Sequence, residues 1–305
     1  MKLKNILRNV TAMALPLALL GSCTGDFEEL NTNPYEIDPE ELPFEAQFST
    51  PLSFSYPTHQ NLFQYWTSLS IDNYGGYFEV PHSNWTMARY DLARGFCGGM
   101  HENFMQKIFN NTRRLIKQCD AAGQHDFAAV ARIVEAYNLL QYTDTYGPVP
   151  YSSVLAADEL AERPSSYAYD KQEDIYMDFL SELRAASAQL DASAMAPQND
   201  LYFNGDIEKW RRFANSLWLR ISMRLLKVNP TLAQQEAKAA YEAGVMTSNS
   251  DICYVAHESS RLDEGPGNGF ANQMLEDPTY SNYRMTNELL EALTSTNDPR
   301  TLYIG

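Results

Sequence analysis

Basic side chains are scarce in this sequence: 23 Lys and Arg stand against 39 Asp and Glu, a formal charge of −16 over 305 residues. Binding nucleic acid without regard to sequence takes a basic patch that releases phosphate counterions, so DNA and RNA are excluded as default partners. Long apolar runs are missing after the first 22 positions, where a spanning helix needs about 18 or more uncharged apolar residues. The ten-residue alternating segments of a membrane barrel are missing as well. Cysteine is rare. Among Cys23, Cys97, Cys119, Cys253 and the histidines His59, His82, His101, His125 and His257 there is no CxxC, no paired Cys/His spacing and no HExxH, which leaves a zinc site without support. No GxSxG elbow and no GxxxxGK[ST] loop occurs either, which removes the motifs for Ser-His-Asp chemistry and for cradling nucleotide phosphates. The 39 acids could hide a glycosidase pair about 5 to 10 Å apart, but no motif singles one out. The expectation is a protein without catalytic residues, metal or cofactor. Its 44% hydrophobic and 12% aromatic residues exclude a disordered or collagen-like chain.

What is present begins with a leader. Met1 to Asn9 carries Lys2, Lys4 and Arg8, and Val10 to Leu20 is an apolar stretch about half the length of a bilayer span, the pattern of a secretory signal. It ends in Leu20-Gly21-Ser22-Cys23, which resembles the lipobox of bacterial lipoproteins. That resemblance implies removal of residues 1–22 and lipid attachment at Cys23; the plain alternative is an ordinary cleavage site beside a chance cysteine. Acyl chains at ~0.8 kcal/mol per buried methylene anchor a protein without a spanning helix. Processing there removes three basic and no acidic side chains and takes the charge from −16 to −19. Such a body is repelled by anionic membrane surfaces and anionic glycans and favours a neutral ligand or a basic partner surface. Three widely spaced cysteines then remain, too few for a disulfide framework although one bridge is open to them.

Gly25 to Pro51 is acidic and punctuated by Asn33-Pro34, Asp38-Pro39 and Leu42-Pro43, so residues 23–53 read as a tether and 54–305 as the body. From Gln60 to Phe96 the sequence is loop-like, with 11 aromatics between residues 54 and 96, an excess that marks a candidate functional surface. The period then turns helical. Met105, Ile108, Phe109, Thr112, Leu115, Ile116 and Cys119 form one stripe, closed by Gly123, and Phe127, Val130, Val134, Tyr137 and Gln141 form the next, ending near Tyr146-Gly147-Pro148. A third helix spans about Lys171 to Leu190; a fourth follows Asp206 as N-cap through Leu225; a fifth has Asn229 as cap and Pro230 at its first position, and runs toward Gly244. Successive helix pairs suggest an all-α solenoid of tetratricopeptide type with long irregular loops, a plain bundle being the alternative. Beyond Ser248 come a loop at Gly265-Pro266-Gly267-Asn268-Gly269 and a short helix from Met285 to Leu293.

Several segments together are similar to one family, the SusD/RagB nutrient-binding outer-membrane lipoproteins of Bacteroidetes. They are Phe27-Glu28-Glu29-Leu30-Asn31-Thr32-Asn33-Pro34; Gln64-Tyr65 with Trp85 and Tyr90; Thr143-Asp144-Thr145-Tyr146-Gly147-Pro148-Val149-Pro150-Tyr151; Gln172-Glu173-Asp174-Ile175-Tyr176; the run from Gly205-Asp206 to Leu219-Arg220; and Asn297-Asp298-Pro299-Arg300. The resemblance implies a tetratricopeptide-like body that sits as a lid over a SusC-like TonB-dependent transporter, captures an oligosaccharide or other nutrient, and is lipid-anchored at the cell surface. Relatives are much longer, so the expectation is a chain lacking most of the C-terminal part. Pro148 stands where relatives often carry an acid, which stiffens that turn.

Sugar faces need flat rings, and hydroxyls need amides and charges at the edge. Tyr74, Tyr77 and Trp85, with Phe78 nearby, are the candidate platforms, and Asn73, Asn84 and Arg89 the candidate edges; packing over the helical body is the competing role for each. Trp66, Trp210 and Trp218 read as core. Arg220 and Arg224, one turn apart, read as a network pairing with a carboxylate such as Asp144 or Glu135. A protein- or peptide-binding helical scaffold is the alternative function, and an exported glycosidase a third.

Overall fold

A computed structural model describes residues 42–55, 63–79, 86–91, 94–157, 164–191, 200–256 and 284–304. Cys23, Asn84, Trp85 and the Gly265–Gly269 loop lie outside these. The chain divides into two compact units, Met1–Leu42 and Pro43–Gly305, and the second carries all that follows.

The body is a stack of helices. α1 (Phe44–Phe54) starts behind Pro43 and buries Phe48 and Leu52 completely. Residues 44–53, read from the sequence as part of the tether, are therefore helical and belong to the core. Prolines at 43 and 51 obscured the period, yet Pro51 falls within the helix. α2 (Asn110–Ala121) continues directly from a π-helical run, Asn103–Phe109, and turns back at Gly123, whose φ of +69° suits glycine. α3 (His125–Tyr146) packs between α2 and α4 (Gln172–Gln189). α5 (Ile207–Arg224) packs on α4, and α6 (Pro230–Glu242) on α5. Antiparallel neighbours of this length make the tetratricopeptide-like architecture that the period implied.

The helix ends follow their chemistry. Asp206 caps α5 by accepting from the Lys209 amide at 3.1 Å, and Asn229 caps α6 from the Leu232 amide at 3.1 Å with Pro230 in the first turn. Gly244, at φ +94°, follows α6; its carbonyl and that of Ala243 accept from the Asn215 amide at 2.8 and 3.0 Å. Near the end of the chain, Thr286 caps α7 (Asn287–Ser295). The residues just before it, Arg284–Met285 (β2), pair antiparallel with Phe78–Glu79 (β1). Met285 is thus in a strand, where the sequence suggested the start of a helix.

Several polar side chains inside the stack are hydrogen-bonded in pairs. The Glu135 carboxylate takes hydrogen bonds from the Thr112 hydroxyl at 2.8 Å and from the Arg113 guanidinium. Burial pushes its pKa above the ordinary value, and those two donors oppose the rise. Glu236 accepts from Arg184 Nη1 at 2.7 Å and from the Trp218 indole at 2.8 Å, joining α4, α5 and α6. Trp210 is fully buried, ringed by Phe48, Tyr202, Phe203 and Phe213. Trp210 and Trp218 are core, as the sequence indicated.

The turn before α5 is organised by one buried carboxylate. Asp200 accepts from the amides of Tyr202, Phe203 and Gly205 at 3.0, 3.2 and 2.7 Å and from the Trp210 indole at 2.8 Å. Replacing it leaves four donors, three of them buried, without an acceptor. Asp200→Ala is expected to lower stability by about 3 kcal/mol or more, read as the shift in a urea unfolding curve; a change under about 0.5 kcal/mol would show that the turn holds without it.

Candidate functional site

The aromatic region read as loop between residues 60 and 96 is partly helical. Gln64–Ile71 is a π-helix, and the short turn Asp72–Tyr74 continues it; the amide of Asp72 bonds back to the Thr67 carbonyl, five residues earlier. That spacing brings Tyr65 and Ser70, and likewise Trp66 and Ile71, onto one face. All four line a cavity of about 700 Å³ together with Tyr74, Gly75, Met87, Cys97, Met100, Asp144, Thr145 and Tyr146. The volume falls within the range that holds small ligands. Trp66 is buried, as expected for core, but it is also a wall of this cavity.

Tyr74 stands at the mouth. Its ring stacks on that of Tyr90, with centroids 5.5 Å apart and planes within 20°, and both rings are exposed. Tyr90 reaches it from a left-handed backbone position, φ +58°, at the end of the short 3-10 helix Met87–Arg89. Burial at the cavity edge, with Cys97 and Tyr90 beside it, raises the Tyr74 phenol above its ordinary value. The chain turns tightly next to it: a Cβ on Gly75 would lie 2.9 Å from both the Ile71 carbonyl oxygen and the Tyr77 ring. A distant segment holds the turn from outside. The Thr286 amide donates to the Tyr77 carbonyl at 3.1 Å, and the Thr286 hydroxyl donates to the Gly76 carbonyl.

The back of the cavity is the end of α3. Tyr146 donates its hydroxyl proton to the Cys97 carbonyl, and its ring meets Tyr142 edge to face, with centroids 5.2 Å apart. Asp144 is held on both oxygens: Tyr176 donates to Oδ1 at 2.7 Å, and Arg224 donates to Oδ2. Arg224 therefore has the carboxylate partner expected of it, while Arg113 holds Glu135. Arg220, one turn from Arg224, is exposed.

Of the candidate residues, Tyr74 lines the cavity. Asn73 and Tyr77 flank it in the same turn, with Tyr77 exposed, and Arg89 is exposed on the 3-10 helix packed against that turn. Asn73, Tyr77 and Arg89 are outside the described lining of the cavity. Sequence reasoning missed Tyr90, Tyr146 and Asp144 as site residues. Tyr90 is placed by a backbone turn that no side-chain period announces; Asp144 and Tyr146 lie in the TDTYGPVPY segment, which was read as a helix end, as part of the family resemblance and, at Asp144, as a partner for Arg224, but not as a binding wall. Among the described residues no group of three or more His, Cys, Asp or Glu is arranged to hold a metal ion, and no helix is long and apolar enough to cross a membrane.

A family model described as SusD-like, Susd and RagB outer membrane lipoprotein, matches residues 29–303. No curated protein matches the chain. Among solved structures, one described as Bacteroidetes AC2a SusD-like is 28% identical with a TM-score of 0.74, covering 86% of this chain and 50% of its own. A chitin-binding protein is 26% identical, TM-score 0.71, over 85% of this chain and 54% of its own. A chitin-binding SusD homolog from Flavobacterium johnsoniae is 25% identical, TM-score 0.72, over 84% and 53%. The chain spans about half the length of these structures.

Thiol chemistry reports on the cavity directly. Burial pushes the Cys119 and Cys253 thiols up to about 12, so almost no thiolate exists there at neutral pH. Burial raises the Cys97 thiol in the same direction, but Cys97 lines the cavity and, like Cys253, is only partly buried. In the native protein at pH 8, iodoacetamide is expected to modify Cys97 ahead of Cys119 and Cys253, and a molecule filling the cavity to slow Cys97 alone. Equal rates at the three thiols, read by peptide mass spectrometry, would show that the cavity does not expose Cys97.

Proposed function

We propose, since the chain belongs to the SusD-like family of outer-membrane lipoproteins, that it is a lipid-anchored binding protein without catalytic activity that captures a nutrient, most plainly a glycan, and passes it to a TonB-dependent transporter. Cys23 is the lipid-attachment residue in this reading, and the cell surface is where the protein works. Neither nucleic acid nor a cofactor has a part in it.

The observation that carries the glycan reading is the stacked, exposed pair Tyr74 and Tyr90 at the mouth of a cavity edged by hydroxyls and one carboxylate. An aromatic face meets the C–H face of a pyranose, while hydroxyls and carboxylates meet its polar rim. Tyr74, Tyr77 and Trp85 are the proposed platforms, with Asn73, Asn84 and Arg89 at the edges. Two similar structures are described as chitin-binding, which makes chitin oligosaccharides the first ligands to try.

By isothermal titration with chitohexaose and a panel of neutral hexasaccharides, Tyr74→Ala and Trp85→Ala are each expected to weaken binding roughly tenfold, the worth of one lost aromatic platform. Unchanged affinity in both variants would remove the platform assignment. A tagged full-length chain extracted from outer membranes is expected to bring down a large barrel transporter; its reproducible absence would count against the hand-over step.

A further inference from the structure

The cavity has a chemical bias beyond its shape. Its described lining contains one ionised side chain, the Asp144 carboxylate, and no Lys, Arg or His. A carboxylate only accepts hydrogen bonds. Tyr176 on α4 and Arg224 on α5 each occupy one of its oxygens, and each oxygen keeps a second lone-pair direction, so the group is both fixed in place and still able to accept.

Three of the hydroxyls around it spend their protons inside the protein. Thr145 donates to the Gln141 carbonyl at 2.9 Å, Ser70 to the Tyr65 carbonyl at 3.1 Å and to that of Trp66, and Tyr146 to the Cys97 carbonyl. These three oxygens keep lone pairs with which to accept. A ligand that meets these three oxygens must bring its own protons, and a ligand that brings a second negative charge meets a carboxylate whose charge is offset only by its own partner Arg224, with no Lys, Arg or His in the described lining.

Resting on the glycan-binding reading above, we infer that the cavity selects neutral, donor-rich saccharides and rejects uronic-acid and sulfated ones, with Asp144 as the selecting residue and Arg224 and Tyr176 as its positioning residues. Sugar hydroxyls fit because each is a donor that a fixed carboxylate can take; the C–H faces are left for Tyr74 and the other rings.

The test uses matched hexasaccharides that differ in charge and keep the linkage: β-1,4-mannohexaose beside β-1,4-mannuronohexaose, and cellohexaose beside its C6-oxidised counterpart, with chitohexaose as a further neutral probe. The expected result by titration calorimetry at low ionic strength is a neutral member bound roughly tenfold or more tightly than its acidic partner, with the gap narrowing as salt screens the repulsion. In Asp144→Asn, which keeps the shape and can still pair with Arg224 and Tyr176, the acidic member is expected to gain affinity and the neutral one to lose several-fold. An acidic hexasaccharide bound as well as its neutral counterpart, or a gap unchanged in Asp144→Asn, overturns this inference and leaves glycan binding standing. Binding of no saccharide in either series overturns the glycan reading, and this inference with it. Should Asp144→Asn fail to fold, Asp144→Ala gives the same comparison; salt dependence alone does not decide it, because the net acidic chain also repels an anionic glycan.

Discussion

The body is arranged around a 22-residue helix, α3, that is buried over most of its circumference. On its buried faces there is no water for polar side chains to turn toward, and each such group must find a protein partner or carry the full cost of desolvation. The partners lie on every neighbouring element. Asp126 takes the Asp191 amide beyond the end of α4 at 2.7 Å; Glu135 takes Thr112 and Arg113 from α2; Asn138 donates to Ser55 at the end of α1 at 2.7 Å; the Thr143 carbonyl accepts from Gln172 at the start of α4 at 2.9 Å; and Asp144 takes Tyr176 and Arg224. Apolar packing supplies most of the driving force but slides easily; these bonds fix where along α3 each neighbour sits. Asp144 has a second duty, since the bonds that secure α4 and α5 also present its carboxylate at the cavity wall.

The helical body was legible in the sequence because its signals are local. The stripes from Ile108 to Cys119 and from Phe127 to Val134, the caps at Asp206 and Asn229, and the stop at Gly123 each depend on a few neighbouring residues and on a period of 3.6. The wall of the cavity was not legible. Tyr65, Trp66, Ser70 and Ile71 share a face only through five-residue bonding, a spacing that a search for the α period passes over. Helix α1 was hidden by Pro51, which marks a breaker in sequence and is carried inside the helix in the structure. Tyr74 could be singled out as an aromatic in a ring-rich segment, but its partner Tyr90 is brought to it by a left-handed backbone turn and not by sequence spacing. Asp144 was anticipated as the partner of Arg224, and its place at the cavity became visible only with the end of α3 beside the π-helix.

The acidic composition takes on a more local meaning in the same light. Several acids of the body are engaged within it: Glu135, Glu236, Asp200 and Asp251 are buried and hydrogen-bonded, and Asp251 takes Arg212 at 2.7 Å. They lock turns and helix pairs together and leave the surface field to the remaining carboxylates. Basic residues, few as they are, reach these acids from the surface as well as from within: Arg113, Arg184, Arg212 and Arg224 all pair with carboxylates of the body.

The clamp of Thr286 on Gly76 and Tyr77 joins residues 210 positions apart, whereas the helix pairs close over a few tens of residues. Contacts of that separation form late, because a long loop must be closed before they return any free energy. The stack of α1 to α6 can therefore assemble before the last segment is in place, and the turn that carries Tyr74 acquires its final shape only once residues 284–286 have arrived. Assembly of the scaffold and maturation of its mouth are thus separated in time, and the body exists for an interval with its helices docked and its entrance unfinished.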